Sequence, residues 1–99
     1  MRMMLKVLIP TESGNEAIKD GSLGKLFEDI SKKLKPEASY FLAQDGLRSA
    51  LFFFDLSDVS LIPTFAEPLF MGMNAELELT PVMNAEELEQ GLGAFMRTR

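Results

Sequence analysis

Three consecutive phenylalanines lie in the stretch LFFFDL, residues 51–56, whose composition is typical of a β-strand. Side chains on a strand alternate between the two faces of its sheet, so Phe52 and Phe54 point to one face and Phe53 to the other. A sheet in a small domain usually has one dry face and one solvated face. This stretch therefore predicts a sheet that is apolar on both sides and needs a cover for its second face.

The composition is that of one ordinary domain spanning residues 1–99, with 46% hydrophobic and 25% charged residues. A net charge of −5 argues against binding to nucleic acid and to anionic membrane surfaces. No apolar run approaches the roughly 20 residues that span a bilayer, and residues 1–6 do not read as a signal peptide. The expected location is the cytoplasm.

Two residue types are missing from the sequence, and their absence restricts the chemistry. Without cysteine the chain has no disulfide, cysteine–zinc site, iron–sulfur cluster or thiol nucleophile. Without histidine it lacks the commonest general base and the usual ligand of haem and transition metals. We therefore expect no metal and no cofactor. Whether the protein is an enzyme stays open at this point.

The hydrophobic periodicity predicts the element order strand, helix, strand, strand, helix, strand. The expected strands are residues 3–9, 38–44, 49–56 and 75–80, and the expected helices are about residues 14–35 and 59–72. Asp45-Gly46 predicts a two-residue type I′ hairpin that sets Tyr40 opposite Leu51.

Two sequence patterns predict helix starts. Ser13 with Glu16, and Asn84 with Glu87, have the spacing of capping boxes, in which a side chain and a backbone N–H bond reciprocally. Gly21 is expected to bend or break the first helix. The pair at Asn84 starts a short terminal helix.

This order of elements predicts a ferredoxin-like α+β fold, with a four-stranded antiparallel sheet in strand order 4-1-3-2 and both helices on one face. The helix-side face is wholly apolar and collects Met3, Leu5, Val7, Ile9, Phe41, Ala50, Phe52, Phe54, Leu77 and Leu79. The opposite face, called the rear face below, collects Met4, Lys6, Leu8, Tyr40, Leu42, Gln44, Leu51, Phe53, Asp55, Glu76, Glu78, Thr80 and Val82.

The rear face is too apolar to stay in water. Burying each large side chain among Leu8, Leu42, Leu51 and Phe53 gains roughly 1.5–3 kcal/mol, and together they make a patch larger than monomers usually expose. The terminal segment is expected to be too short to cover them. We therefore expect these four residues to form the contact face of a homodimer.

The βαββαβ order, the amphipathic rear face and the short length resemble the dimeric α+β barrel superfamily, which includes muconolactone-isomerase-like, YCII-like and antibiotic-monooxygenase-like proteins. The stretches FMGMNAE at 70–76 and PVMN at 81–84 resemble an uncharacterised bacterial branch of it. The resemblance implies a dimer in which two sheets pack face to face. Haem-handling members rely on histidine and quinone-forming monooxygenases on a Trp and His pattern, both missing here. Muconolactone-type chemistry can run on carboxylates, but no motif of it aligns with this sequence, so the resemblance implies no particular activity.

Four residues are candidates for acid–base chemistry. They are Lys6, Tyr40, Asp55 and Glu67. Lys6 is expected to face Glu76 or Glu78 on one side and Asp55 on the other, as a tuned acid–base cluster or, more commonly, as an ion-pair ladder that fixes register. Tyr40, the one tyrosine, is either a proton donor or an aromatic side chain at an interface. Glu67 is the one acid of the second helix.

That second helix is also the expected ligand site. Its soft and aromatic side chains Phe65, Phe70, Met71 and Met73 line a pocket between helix and sheet, or else fill an irregular core. The sequence thus predicts a protein that binds or transforms a small apolar or aromatic molecule without metal or haem. The alternative is a non-catalytic dimer that serves as an interaction or regulatory module.

Overall fold

Four antiparallel strands form one sheet in the order β2-β3-β1-β4 in the computed structural model, which describes residues 1–98. The elements are β1 (Arg2–Ile9), α1 (Thr11–Lys19), α2 (Ser22–Leu34), β2 (Ala38–Gln44), β3 (Leu47–Asp55), a 3-10 turn (Val59–Leu61), α3 (Ile62–Met73), β4 (Glu76–Pro81) and α4 (Ala85–Thr98). The α+β class and the predicted strand order are confirmed. The element order exceeds βαββαβ by a divided first helix and by α4. Arg99, the last residue of the expected domain, lies outside the described residues.

The β2–β3 hairpin has the predicted turn and register. Asp45 and Gly46 adopt φ values of 54° and 78°, as a type I′ turn requires at both central positions. Gln44 pairs with Leu47 across the turn, and Tyr40 lies opposite Leu51. Since the turn is local in sequence, the register of the whole hairpin follows from it.

The predicted capping box at Ser13 is wrong. Helix α1 begins at Thr11 directly after Pro10, so Ser13 lies inside its first turn. The Ser13 hydroxyl donates instead to the carbonyl of Pro10 at 3.1 Å and to that of Met73 at 2.7 Å. The contact with Met73, at the end of α3, is a tertiary bond that local spacing does not reveal.

The predicted break in the first helix is confirmed at Gly21. This residue adopts φ 81° between α1 and α2, a left-handed conformation that glycine takes without steric cost. The Asp20 carboxylate accepts a hydrogen bond from the backbone N–H of Ser22, the first residue of α2, at 2.8 Å.

The core lies between the sheet and helices α1 to α3. Alternate residues of β1 and β3 are buried, and Phe52 and Phe54 are almost completely enclosed, whereas Phe53 on the rear face is half-buried. Phe41 departs from the expected burial: it points to the helix side but remains 61% exposed. It lies on the outermost strand, where Phe27 of α2 covers only one side of its ring.

Helix α4 is longer than expected, at 14 residues, and the described part of it buries none of its side chains. The predicted capping box at its start is confirmed, with Asn84 N–H donating to Glu87 at 2.9 Å and Glu87 N–H donating to Asn84 at 2.8 Å. The radius of gyration is 16.0 Å, against about 13 Å for a compact domain of this length, and the longest dimension is 56 Å. Helix α4 therefore extends from the body and leaves the rear face uncovered.

Candidate functional site

The sheet register arranges the rear face in cross-strand rows. One row runs Tyr40, Leu51, Lys6 and Glu78, from β2 at one edge to β4 at the other. Adjacent strands are about 4.8 Å apart, so Tyr40 and Lys6 are separated by about 10 Å with Leu51 between them. The fold brings these two candidates to the same face without direct contact.

Lys6 pairs with Glu78, one of its expected partners. Its Nζ lies 3.6 Å from Oε2 of Glu78, and the Lys6 side chain is only 19% exposed. The expectation that Asp55 flanks Lys6 on the other side is wrong, because the register of β1 against β3 places Asp55 opposite Arg2. Asp55 accepts a hydrogen bond from the amino terminus of Met1 at 2.7 Å.

The apolar part of the rear face lies towards β2, and its charges lie towards β4. Leu8, Leu51 and Phe53 are half-buried by their neighbours on the same face, and Tyr40 is 61% exposed. The Tyr40 and Phe53 rings meet edge to face with centroids 6.5 Å apart. No element within residues 1–98 forms a layer over this patch, which is defined as Leu8, Tyr40, Leu42, Leu51 and Phe53.

The expected pocket of the second helix is a small groove between α3 and the β4 side of the sheet. It encloses about 210 Å³ and is lined by Leu5, Ile62, Phe65, Ala66, Phe70, Leu77 and Leu79. Met73 is buried in the core and Met71 is largely exposed, so neither lines this groove. Glu67 is exposed on the same helix and does not line it either.

A larger groove lies at the other edge of the sheet, between α2 and β2. This α2–β2 groove encloses about 450 Å³ and is lined by Ile9, Leu23, Gly24, Phe27, Phe41, Leu42, Ala43, Arg48 and Ser49. The Phe27 and Phe41 rings pack against each other with centroids 5.4 Å apart. Among the described residues of this lining, Arg48 carries the one charge, and it donates a hydrogen bond to Asn15 at 3.0 Å.

Sequence reasoning missed the α2–β2 groove, although part of its signal was present. The Asp-Gly turn places Phe41 on the helix side of an edge strand, and helical periodicity places Phe27 on the buried face of α2. The distance between that helix and that strand depends on how the layers pack, which neither pattern specifies.

Asp55 contributes to a third cavity, of about 280 Å³, beside the end of β3. The polar side chains of Lys33, Ser57 and Thr64 also line it. Lys33 Nζ donates to the Thr64 carbonyl at 2.8 Å, and Asp55 is paired with the amino terminus. The charged groups of Lys33 and Asp55 are therefore each already bonded to another group. Within residues 1–98, no group of three or more acidic side chains is arranged to hold a metal ion.

Arg2 ties the start of α4 to the sheet. Its guanidinium donates to Glu37 at 3.1 Å and to Glu87 in the first turn of α4. The backbone N–H of Asn84, and then the Arg2 guanidinium, lower the pKa of Glu87 from its ordinary value. The same two carboxylates raise the pKa of Arg2.

Acid should loosen the start of α4. A carboxylate whose pKa is lowered by folding stabilises the fold above its ordinary pKa, here 4.5, and this contribution is lost as pH falls through the lowered value. We expect the amide NMR signals of residues 84–88 to lose their helical shifts as the pH falls from 4.5 through the lowered pKa of Glu87. In Glu87→Gln the helical shifts of residues 84–88 should be absent at every pH. Glu89→Gln, in the same helix, should behave like the parent chain. A parent-like Glu87→Gln variant would contradict this role.

None of the described helices is long and apolar enough to cross a membrane.

No protein-family model matches the chain, and neither a curated protein nor a solved structure does. The structure is an α+β fold with a four-stranded antiparallel sheet, which is compatible with a ferredoxin-like fold.

Proposed function

We propose that this protein is a homodimeric binding protein that takes up a small apolar or aromatic molecule in the α2–β2 groove, without metal or haem. The groove carries this proposal. Its volume of about 450 Å³ falls within the range of roughly 300–1,000 Å³ usual for ligand pockets. Its lining combines apolar walls with one charged side chain, that of Arg48, which can orient a ligand by a single polar contact.

The groove favours binding over catalysis. Arg48 is its one charged group among the described residues, and a guanidinium stays protonated at any physiological pH, so it cannot act as a general base. It can pair with a carboxylate or sulfonate. Lys6, Tyr40, Asp55 and Glu67 all lie outside the groove. The ligand class that fits best is an aromatic or aliphatic molecule with one anionic group.

The homodimer in this proposal forms through the rear face, as in the dimeric α+β barrel superfamily. The apolar patch would meet its symmetry mate and remove Leu51, Phe53 and their neighbours from water, about 25 cal/mol for each Å² covered. Lys6 and Glu78 would fix the register of that contact as a partly enclosed ion pair.

Helix α4 contributes to the same interface in this proposal. A four-stranded sheet face with strands of about seven residues projects to roughly 450 Å², whereas each partner in a stable interface buries about 800 Å². The α4 side chains Leu88, Leu92 and Phe95 follow the i, i+4, i+7 spacing of one helix face and are about half exposed. A 14-residue helix with internal glycines is marginal alone and gains stability by packing on a second copy.

Gly24→Leu tests the groove without disturbing the core. An added Cβ at Gly24 meets open space, so the larger side chain would fill the groove, and replacing a helical glycine also favours α2. We expect at least a tenfold loss of affinity for two fluorescent dyes of one scaffold, the anionic 8-anilinonaphthalene-1-sulfonate and the neutral N-phenyl-1-naphthylamine. Gly93→Leu, at a glycine on the opposite face of α4 where an added Cβ makes only an ordinary contact with the Arg97 side chain, is the matched control and should bind both dyes as the parent does.

The charge on Arg48 is tested separately with the same dye pair. Arg48→Gln should weaken the anionic dye about tenfold and leave the neutral dye unchanged, because a charge-assisted contact adds roughly 1.5–3 kcal/mol to binding. If each dye binds the parent, Gly24→Leu and Gly93→Leu with the same affinity, that result would contradict a ligand role for this groove.

The second candidate function is a non-catalytic interaction module, in which the assembly itself is the functional unit. The uncovered apolar patch on the rear face favours it, since monomers seldom expose such a surface. A protein that assembles through this face and binds neither dye in the groove would support this function over the first.

A further inference from the structure

The two edges of the sheet are built differently. The outer strand β4 carries Glu76 and Glu78 and ends at Pro81, features that discourage pairing with another strand. The outer strand β2, with the sequence ASYFLAQ, has no charge and no proline over seven residues. Soluble proteins usually protect such an edge, because its free backbone groups are a template for another chain. The unguarded edge is therefore evidence of a strand-pairing surface.

Side chains on both faces of β2 are exposed. Tyr40 points to the rear face and Phe41 to the helix side, yet each is 61% exposed. Rear-face packing would cover Tyr40 and Leu42 but would leave Phe41 in water. A partner placed beside the edge, in the plane of the sheet, would cover all three.

The free backbone groups of β2 follow from its hairpin. The residues that close a two-residue turn, Gln44 and Leu47, exchange backbone hydrogen bonds, and bonded and non-bonded pairs then alternate along an antiparallel ladder. The N–H and C=O groups of Ser39, Phe41 and Ala43 are consequently directed away from β3. They provide sites for about six hydrogen bonds to an adjacent antiparallel strand.

We infer that β2 pairs antiparallel with β2 of a second copy of this chain, with the two-fold axis at Phe41. Ser39 then lies opposite Ala43 of the other copy, and Tyr40 opposite Leu42. The absence of charge on β2 favours a second copy as the occupant, because a symmetric pairing sets each strand against itself and would set like charges against each other. The same pairing of β4 would bring Glu76 and Glu78 close to their own symmetry mates.

This inference does not rest on the proposed function. Edge pairing uses the β2 backbone and the side chains flanking it, whereas the rear-face dimer uses the patch centred on Leu51 and Phe53. The two contacts have different symmetry axes, and when these axes intersect at right angles the contacts close into an assembly of four copies in which two sheets of eight strands pack face to face.

Disulfide trapping tests the register, because the chain has no cysteine of its own. In a hydrogen-bonded antiparallel pair the Cα atoms are about 5.5 Å apart, within the roughly 4.4–6.8 Å that a disulfide spans. We expect Phe41→Cys to form a covalent dimer under mild oxidation at least ten times faster than Ile18→Cys, an exposed apolar position on α1.

A second pair of variants keeps Phe41 intact. Ser39→Cys and Ala43→Cys should each resist crosslinking alone, because their symmetry mates are about 14 Å apart, and should crosslink when mixed. The parent chain, at about 50 μM in light scattering, should have the mass of four copies. Phe41→Lys should halve that mass, whereas Ile18→Lys should leave it unchanged.

The outcomes separate the two interfaces. Crosslinking of the mixed Ser39→Cys and Ala43→Cys chains that persists with Phe53→Asp added supports edge pairing and is independent of the rear face. Crosslinking of Phe41→Cys no faster than of Ile18→Cys, together with an unchanged mass for Phe41→Lys, would overturn edge pairing. A parent dimer that Phe53→Asp converts to monomers would also overturn it, while supporting the rear-face homodimer.

Discussion

Phe53→Asp should halve the mass of the protein assembly. Phe53 lies in the apolar patch of the rear face, next to Tyr40 and opposite Met4, and no element within the described residues covers it. A carboxylate there would meet its symmetry mate in an apolar contact, and an unpaired buried charge costs several kcal/mol. The rear-face contact between copies should be lost at all micromolar protein concentrations.

Light scattering and sedimentation velocity measure that mass directly. Val59→Asp, at a more exposed apolar residue of the 3-10 turn, is the matched control and should keep the parent mass. Because Phe53 is only half-buried in the single chain, the variant should retain the parent's circular dichroism. A folded Phe53→Asp protein of parental mass would show that the rear face is not an interface.

The second large effect is expected at the neighbouring residue. Phe52→Ala should lower the free energy of unfolding by about 3–5 kcal/mol, because it removes a fully enclosed ring and leaves a cavity. The Phe52 ring packs against Phe27 at 6.0 Å and Phe41 at 6.1 Å between centroids, so those rings lose a partner as well. A small domain has only about 5–15 kcal/mol of stability in total.

Urea denaturation at one fixed protein concentration measures this loss, since association also stabilises the fold. Phe70→Ala, which truncates a ring that is 44% exposed, is the control and should cost clearly less. A loss below about 1 kcal/mol for Phe52→Ala would mean that the ring does not fill a tightly packed core.

The adjacent positions 52 and 53 illustrate what a local pattern can predict. Strand alternation alone separates the core ring of Phe52 from the rear-face ring of Phe53, and burial in the structure agrees. The Asp45-Gly46 turn likewise determines the pairing of Tyr40 with Leu51, because a two-residue loop admits one register. Such features depend on backbone geometry within a few residues.

Features that depend on distant segments were predicted poorly. The Ser13 hydroxyl bonds to the carbonyl of Met73, 60 positions away, so its capping pattern was misleading. Asp55 was expected beside Lys6, but strands β1 and β3 are joined through two helices and another strand, and no turn sets their register. The α2–β2 groove likewise depends on where α2 comes to lie over the edge of the sheet.

The sequence by itself determined the α+β class, the strand order and the alternation of faces along β1 and β3. Only the tertiary structure decided the partner of Lys6, the shape of the two helix–sheet grooves and the extension of α4 away from the body. The reason is physical: alternation and turn geometry act between neighbouring residues, whereas register and groove width result from the packing of whole layers.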